Sequence, residues 1–122
     1  MHLTVLTVDD DDKMRKLLKV NLQTDGIEVR EANTGNECLR LVRDEPIDLV
    51  LLDLDLPDGS GWDVLATMRS TPEMSTMPVI VLSATPPERG KLRQLRPEDY
   101  VQKPFDARDL TDRVRKVLKQ ER

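Results

Sequence analysis

The chain alternates short apolar runs with amphipathic stretches, and this alternation constrains its fold more than any other feature. The apolar runs read as strands, at Leu3 to Val8, Ile27 to Val29, Ile47 to Leu52, Pro78 to Leu82 and Tyr100 to Gln102. Each is followed by a stretch in which apolar residues recur at helical spacing. Strands that alternate with helices form a parallel sheet covered by helices on both faces. The sequence therefore predicts an α/β, doubly wound (βα)5 fold with strand order 2-1-3-4-5.

Length and composition indicate one domain over residues 1–122. Aromatic residues make up only 2% of the chain, so aliphatic side chains and methionine must build the core. The single cysteine, Cys38, excludes an internal disulfide and is expected on the apolar face of a helix. The tail 119–122 is compatible with the start of a linker to an effector domain.

Charge and hydropathy exclude several classes of partner. The net charge of −4 argues against a nucleic-acid surface. No apolar run approaches the roughly 20 residues that a membrane helix needs, and no signal peptide is visible, so a cytoplasmic location without membrane contact is expected. Four basic residues that follow the first strand are interpreted as a solvated helix face: Lys13, Arg15, Lys16 and Lys19.

Chemically versatile side chains follow four of the predicted strands. Asp9 and Asp10 follow strand one, Asp53 ends strand three, Ser83 ends strand four and Lys103 follows strand five. In open α/β sheets, ligands bind beyond the carboxyl ends of the strands. Each residue alone has a local explanation, such as a helix cap, a turn or a surface charge. Their common position at one edge of the sheet favours a functional site.

Three carboxylates at that edge require a counter-charge. Two unit charges 4 Å apart interact by about 4 kcal/mol at an intermediate effective dielectric. An all-oxygen site with few protein ligands suits Mg²⁺, which keeps several waters and often bridges phosphate oxygens. With the cation of Lys103 and the hydroxyl of Ser83, the set would stabilise a phosphoryl group in transfer, and an aspartate nucleophile would give an aspartyl phosphate.

Four ordered motifs resemble the receiver domains of two-component response regulators. They are Val8-Asp9-Asp10-Asp11, Leu51-Leu52-Asp53-Leu54-Asp55-Leu56-Pro57-Asp58-Gly59, Val81-Leu82-Ser83-Ala84 and Tyr100-Val101-Gln102-Lys103-Pro104-Phe105. The resemblance covers essentially the whole chain and implies the flavodoxin-like form of the doubly wound fold.

The resemblance assigns roles around a magnesium ion. It implies that Asp53 accepts the phosphoryl group and that Asp10 and Asp53 bind Mg²⁺ through their side chains. The backbone carbonyl of Asp55 would be a further ligand, and Asp9 would act mainly through a metal-bound water. Lys103 would pair with a phosphoryl oxygen, and the side chain of Asp55 would tune hydrolysis.

The resemblance also implies a conformational switch. Ser83 would hydrogen-bond the phosphoryl group and move on activation, and Tyr100 would turn inward as it moves. Ala84 would keep access to the site open, and Thr85 would help to tune hydrolysis. The Lys103–Pro104 bond is the candidate for a cis peptide, as is typical of this family.

Partners follow from the same resemblance. The phosphoryl donor would be a phosphohistidine on a sensor histidine kinase or a phosphotransfer protein, and the output would be an effector domain or protein. The receiver would catalyse only its own phosphorylation and slow autodephosphorylation, so it is not expected to be an enzyme. Several charged residues of the fourth helix, last strand and last helix resemble those that pair receivers of winged-helix regulators into homodimers: Lys91 or Arg93, Asp99, Asp109 and Arg113.

One region departs from the family pattern. The stretch 84–99 contains Pro86-Pro87 where the family often has a longer fourth helix, so a short helical segment around Glu88 to Leu95 is predicted. The family uses this face for output.

Two other functions compete with this interpretation. One is an interaction module that keeps the fold but does not respond to phosphate. The other is a haloacid-dehalogenase-type phosphatase using Asp53 and Asp55, but that family places this strand at the start of its domain, whereas here an acidic pair precedes it. A nucleotide-binding loop is not supported, because Gly59-Ser60-Gly61 lacks the third glycine of the dinucleotide fingerprint.

Overall fold

The computed structural model describes residues 2–120, and its main sheet has five strands: β1 Thr4–Val8, β2 Glu28–Ala32, β3 Leu49–Asp53, β4 Val79–Ser83 and β5 Asp99–Gln102. The α-helices of this part of the chain are α1 Asp12–Thr24, α2 Gly35–Asp44, α3 Gly61–Ser70, α4 Arg89–Leu95 and α5 Ala107–Gln120. Strands and helices alternate along the chain, as the apolar pattern predicted.

The sheet is parallel throughout and has the order β2-β1-β3-β4-β5, which confirms the predicted order. Its register aligns the carboxyl ends of the strands. Val8 pairs with Leu52, Asp53 pairs with Leu82, and Ser83 pairs with Gln102. Side chains just beyond these positions therefore meet at one edge.

The position of each strand in the sheet explains its composition. Every residue of β1, β3 and β4 is buried, which suits strands with neighbours on both sides and helices on both faces. The edge strand β2 is different, because only Val29 and Ala32 are buried along it.

Two apolar layers enclose the sheet. Helices α2 and α3 pack against one face, where the buried side chains include Leu6, Val50, Leu52, Val81, Cys38, Leu65 and Met68. Helices α1 and α5 pack against the other, where they include Val5, Leu49, Leu51, Ile80, Leu18, Leu110 and Val114. Burial of Cys38 among aliphatic groups raises the pKa of its thiol to about 12, so this cysteine is an inert core residue.

Side-chain oxygens cap the amino ends of three helices. Asp11 caps α1 by accepting from the backbone N–H groups of Lys13 and Met14. Thr34 caps α2 and Ser60 caps α3.

Two segments that connect strands and helices contain short regular structure. After β3, Asp55–Leu56 pairs with Gly59–Ser60 in a two-residue antiparallel ladder, and Gly59 supplies the positive φ of 147° at that reversal. The segment 71–77 contains a 3₁₀ turn at Pro72–Met74, and Met74 is buried in the core. Strand β3 begins at Leu49 rather than at Ile47.

Helix α4 is short, as predicted, with seven residues, and it ends at Arg96 in the left-handed conformation. Helix α5 runs through Gln120, so it includes the first half of the tail that was interpreted as a linker, while 121–122 lie outside the described residues. Within residues 2–120, no helix is both long and apolar enough to cross a membrane.

Candidate functional site

Three carboxylates meet at the carboxyl edge of the sheet, as the sequence predicted. One oxygen of each of Asp9, Asp10 and Asp53 lies within 4.8 Å of the others. Asp9 and Asp53 are 1% and 3% exposed, whereas Asp10 faces solvent. The cluster is therefore walled by protein on one side and open to an incoming ligand on the other.

Lys103 places a cation beside this cluster. Its Nζ lies 3.1 Å from Asp53 Oδ2 and 3.6 Å from Asp9 Oδ2. Burial alone would lower the pKa of Lys103, but its bonds to Asp53 and the charge of Asp9 outweigh burial and raise that pKa. The ammonium is thus charged at neutral pH. The Lys103–Pro104 peptide is cis, which confirms the prediction.

Asp9 shows that the cluster lacks positive charge. Burial raises the pKa of Asp9, and the neighbouring charge of Asp53 adds to the increase, while the backbone N–H of Asp11, which donates to Asp9 Oδ1 at 2.9 Å, lowers it. Asp9 Oδ2 is buried and has no hydrogen-bond partner among the described residues. A hard divalent cation, with its bound waters, satisfies such an all-oxygen set, so the residues present fit Mg²⁺.

Arg15 holds the loop that carries the acidic pair, and the interpretation of this residue as solvated was wrong. Its Nη1 donates to the backbone oxygen of Asp9 at 2.7 Å, and its guanidinium also contacts Asp12 and Glu31. Only 17% of the Arg15 side chain is exposed. The helical pattern gave no signal for this contact, because the acceptor is a main-chain oxygen of the preceding loop.

Asp53 is fixed by its own loop. The backbone N–H of Asp55 donates to Asp53 Oδ1 at 3.1 Å, while the Asp55 side chain is exposed. Gly61 packs directly against the backbone of Asp53, since a Cβ at Gly61 would lie 2.4 Å from the backbone oxygen of Asp53. Only glycine fits there. The sequence analysis considered Gly61 only as part of Gly59-Ser60-Gly61, which was rejected as a nucleotide-binding loop.

Asp58 anchors the same loop to α2 and was not identified as a functional residue from the sequence. Its Oδ1 accepts from Gly35 N at 2.8 Å and its Oδ2 from Asn36 N at 3.0 Å. These two backbone bonds lower the pKa of Asp58. The loop that carries Asp55 is thereby tied to the amino end of a helix more than 20 residues earlier in the chain.

Ser83 is buried beside the cluster and is hydrogen-bonded to Thr85. Ser83 Oγ lies 2.9 Å from Thr85 Oγ1 and accepts from Thr85 N at 3.1 Å. Tyr100, which is half-buried, donates its hydroxyl to the backbone oxygen of Thr85 at 2.7 Å. Ala84 is exposed. A cleft of about 390 Å³ beside Ser83 and Thr85 gives access from solvent.

The residues proposed for a dimer face are largely paired within the chain. Arg113 bonds Asp99 and Asp109, each at 3.0 Å, and the bonds to Asp99 and then Asp109 raise the pKa of Arg113. Lys91 lies over the ring of Trp62. Arg93 is exposed on α4.

Comparison with known proteins gives consistent matches. Residues 5–115 match the response regulator receiver domain. The chain is 40% identical over 117 residues to transcriptional regulatory protein KdpE of Mycobacterium tuberculosis, covering 94% of this chain and 50% of that protein. It is 38% identical over 117 residues to transcriptional regulatory protein CpxR of Escherichia coli, covering 94% of this chain and 49% of that protein.

The structure is also similar to the receiver domain of a Francisella response regulator, with a TM-score of 0.90 and 29% identity. That match covers 99% of this chain and 100% of the other. The chain spans about half the length of the curated relatives that it matches.

Proposed function

The chain belongs to the response regulator receiver domains, a family of phosphoacceptor signalling domains, and from this premise we propose that Asp53 is its phosphoryl acceptor. The observation that carries the proposal is the contact of Asp53 with both a cation and two further carboxylates. Lys103 Nζ lies 3.1 Å from Asp53 Oδ2, and Asp9 and Asp10 lie beside it. Asp53 is also the carboxylate that ends the central strand β3.

Asp53 acts as the nucleophile. A carboxylate oxygen of Asp53 bonds to phosphorus while the bond from phosphorus to the donor's imidazole nitrogen breaks, which leaves an acyl phosphate on the protein. Lys103 stays charged in the folded protein and pairs with a phosphoryl oxygen. The Ser83 hydroxyl, which bonds Thr85 here, donates to another.

Receiver domains bind Mg²⁺ at an acidic cluster, and the cluster here has the matching composition. Asp10 and Asp53 would hold the ion through carboxylates, Asp55 through its backbone carbonyl, and Asp9 through a bound water. The ion would neutralise the carboxylates and orient the phosphoryl oxygens. The protein's part is to keep these ligands in place through the anchored loops on either side.

Activation moves Ser83 toward the phosphoryl group, and Tyr100 follows it. This step is supported by the bonds through Thr85, which tie Ser83 to Tyr100. Ala84 is small and exposed, so it leaves the acceptor accessible. Asp55 and Thr85 flank the route of the attacking water and tune the lifetime of the acyl phosphate.

The domain receives a phosphoryl group from a donor protein and passes the signal to an effector. Membership of the family implies interaction with histidine kinases and effector domains. We propose that residues 1–122 form one cytoplasmic receiver domain, that a sensor kinase or a phosphotransfer protein supplies the phosphoryl group, and that an effector domain or protein is the output. Its own chemistry is limited to its phosphorylation and slow autodephosphorylation. We further propose a homodimer through α4, β5 and α5, without direct nucleic-acid contact by this domain.

Intact-mass measurement tests the proposal. Wild type incubated with acetyl phosphate and Mg²⁺, or with a phosphohistidine donor, should gain one phosphoryl group, and Asp53→Asn should gain none. Asp55→Asn is the matched control and should still be modified, since its side chain is not the nucleophile. No gain in wild type with either donor would refute the proposal, and a gain in Asp53→Asn would move the acceptor elsewhere. Turnover of a phosphomonoester that requires Asp55 would instead indicate a phosphatase.

A further inference from the structure

A series of direct contacts leads from the phosphoryl site to Trp62. Ser83 Oγ lies 2.9 Å from Thr85 Oγ1, and the backbone oxygen of Thr85 accepts from the hydroxyl of Tyr100 at 2.7 Å. The Tyr100 ring in turn stacks on the indole of Trp62, with 6.2 Å between centroids and 23° between planes. Each member of the series therefore touches the next.

The series continues from Trp62 onto α4. The ammonium nitrogen of Lys91 lies 5.5 Å from the centroid of the indole. A cation over the face of an aromatic ring is attracted by the ring's quadrupole. Trp62 belongs to α3, Tyr100 to β5 and Lys91 to α4, so the indole is the point at which these three elements share a contact.

Resting on the proposed function, we propose that Trp62 is a positioning residue that transmits the rearrangement of Ser83 and Tyr100 to α4 through Lys91. When Ser83 turns to the phosphoryl group, it leaves the hydroxyl and the N–H of Thr85, which bond it here. Thr85 holds the hydroxyl of Tyr100, so the Tyr100 ring shifts. A shift of that ring changes the packing of Trp62 and the position of the indole face under Lys91.

A purely structural role for Trp62 makes a different prediction. Its indole is 7% exposed and packs in the core cluster with α2 and α3, which alone would explain its presence. A core side chain with no other role would support folding but would leave the response of α4 to phosphorylation unchanged. The two roles are separated by measurements on the loaded protein.

Fluorescence is the first measurement, because Trp62 is the only tryptophan of the chain. Loading wild type with Mg²⁺ and beryllofluoride, a phosphoryl analogue, should change the intensity or peak wavelength of its emission. Tyr100→Phe keeps the ring but removes the hydroxyl bond to Thr85, so the change should become smaller. Wild type that takes up phosphoryl mass from acetyl phosphate, but whose emission is the same with and without the analogue, would overturn the inference while leaving the proposed function intact.

Hydrogen exchange of the α4 amides is the second measurement. Loading should alter exchange over Arg89–Leu95 in wild type, and this difference should be lost in Trp62→Leu and reduced in Lys91→Gln. Trp62→Phe, which restores a ring, should recover part of it. Lys91→Gln replaces a partly exposed residue and keeps the core intact, so it decides the question even if Trp62→Leu does not fold.

Intact mass separates the two proposals. Lys91→Gln should take up phosphoryl mass as wild type does, and only its α4 response should be reduced. An α4 response in Lys91→Gln and Trp62→Phe that equals that of wild type would refute the role of the stack. Absence of phosphoryl mass in wild type would refute the proposed function, and this inference with it.

Discussion

Replacement of Arg69 by methionine tests how the short helix α4 is held. The Arg69 side chain leaves α3 and is only 8% exposed. Its guanidinium donates to four main-chain oxygens: those of Leu95 at 2.9 Å, Met77 at 2.8 Å, Ser75 at 3.2 Å and Arg96 at 3.2 Å. It also donates to the carboxylate of Glu98 at 3.2 Å. Arg69 thereby joins α3, the turn before β4, the end of α4 and the start of β5.

The expected loss is bounded by two estimates. Five hydrogen bonds to a charged group, at about 1.5–3 kcal/mol each, would sum to about as much as the whole free energy of unfolding of a typical domain. These five contributions are not additive, because some of the carbonyl oxygens that lose Arg69 would bond to water instead. The three part-buried acceptors, the backbone oxygens of Leu95, Ser75 and Met77, would each lose a partner at a cost of about 1–3 kcal/mol. Methionine keeps most of the aliphatic stem, so we expect Arg69→Met to lower the free energy of unfolding by about 3–5 kcal/mol, toward the lower end of that sum.

Urea unfolding followed by circular dichroism measures this loss. With a slope of about 2 kcal/mol per M, the midpoint should fall by about 1.5–2.5 M. Arg69→Lys should fall between wild type and Arg69→Met. Arg43→Met is the matched control, because the Arg43 side chain is 61% exposed and pairs with the adjacent Asp44, so it should lose less than about 1 kcal/mol. Equal losses in Arg69→Met and Arg43→Met would refute the reasoning.

Three further predictions concern other parts of the structure. Gly61→Ala should lower stability and slow phosphoryl uptake, because its Cβ would lie 2.4 Å from the backbone oxygen of Asp53, whereas Gly90→Ala meets nothing within 4 Å and should stabilise α4 by about 0.5–1 kcal/mol in urea unfolding. Since the pKa of Asp58 is lowered, its stabilisation is present above the ordinary pKa and lost as pH falls through the lowered one. The urea midpoints of wild type and Asp58→Asn should therefore begin to converge below about pH 4, and a difference that does not change with pH would contradict this. The pKa of the Cys38 thiol is about 12, so native protein near pH 8 should react slowly with Ellman's reagent and unfolded protein quickly, and fast labelling of native protein would contradict its burial.

The fold was predictable because its pattern is repeated along the chain. Alternating apolar runs and helical periodicity specify parallel β–α units, and right-handed connections leave few strand orders. The site followed from the fold. Asp53 and Ser83 end neighbouring strands whose register the sheet fixes, so their meeting required only the strand order and not side-chain detail.

The anchoring residues were not predictable in the same way. Asp58 bonds a helix end 22 and 23 residues away, and Arg69 bonds main-chain oxygens up to 27 residues away. Their acceptors and donors are main-chain groups, which every residue carries, so no residue type in the sequence marks the partner. The interpretation of Arg15 as solvated was wrong for the same reason, because its acceptor is the backbone oxygen of Asp9. The helical pattern placed Arg15 and Arg69 on helices, but it did not indicate which groups their side chains contact.

Helix α4 is held differently at its two ends, and this difference bears on how the signal leaves the site. At the carboxyl end, the buried guanidinium of Arg69 bonds the backbone oxygens of Leu95 and Arg96. At the amino end, Glu88 makes no side-chain capping bond, and the contact between Lys91 and Trp62 is the one that leads toward the phosphoryl site.

We expect α4 to turn about its Arg69 anchor when the stack shifts, because Arg69 bonds its carboxyl end and Glu88 makes no side-chain cap at its amino end. Seven residues span about 10 Å, so a small displacement at the amino end would change the direction of the whole helix. Loss of that anchor should therefore affect more than stability. In Arg69→Met, phosphoryl uptake at Asp53 should persist, while exchange over α4 should be fast both with and without the phosphoryl analogue, because the helix then has no fixed point about which to turn.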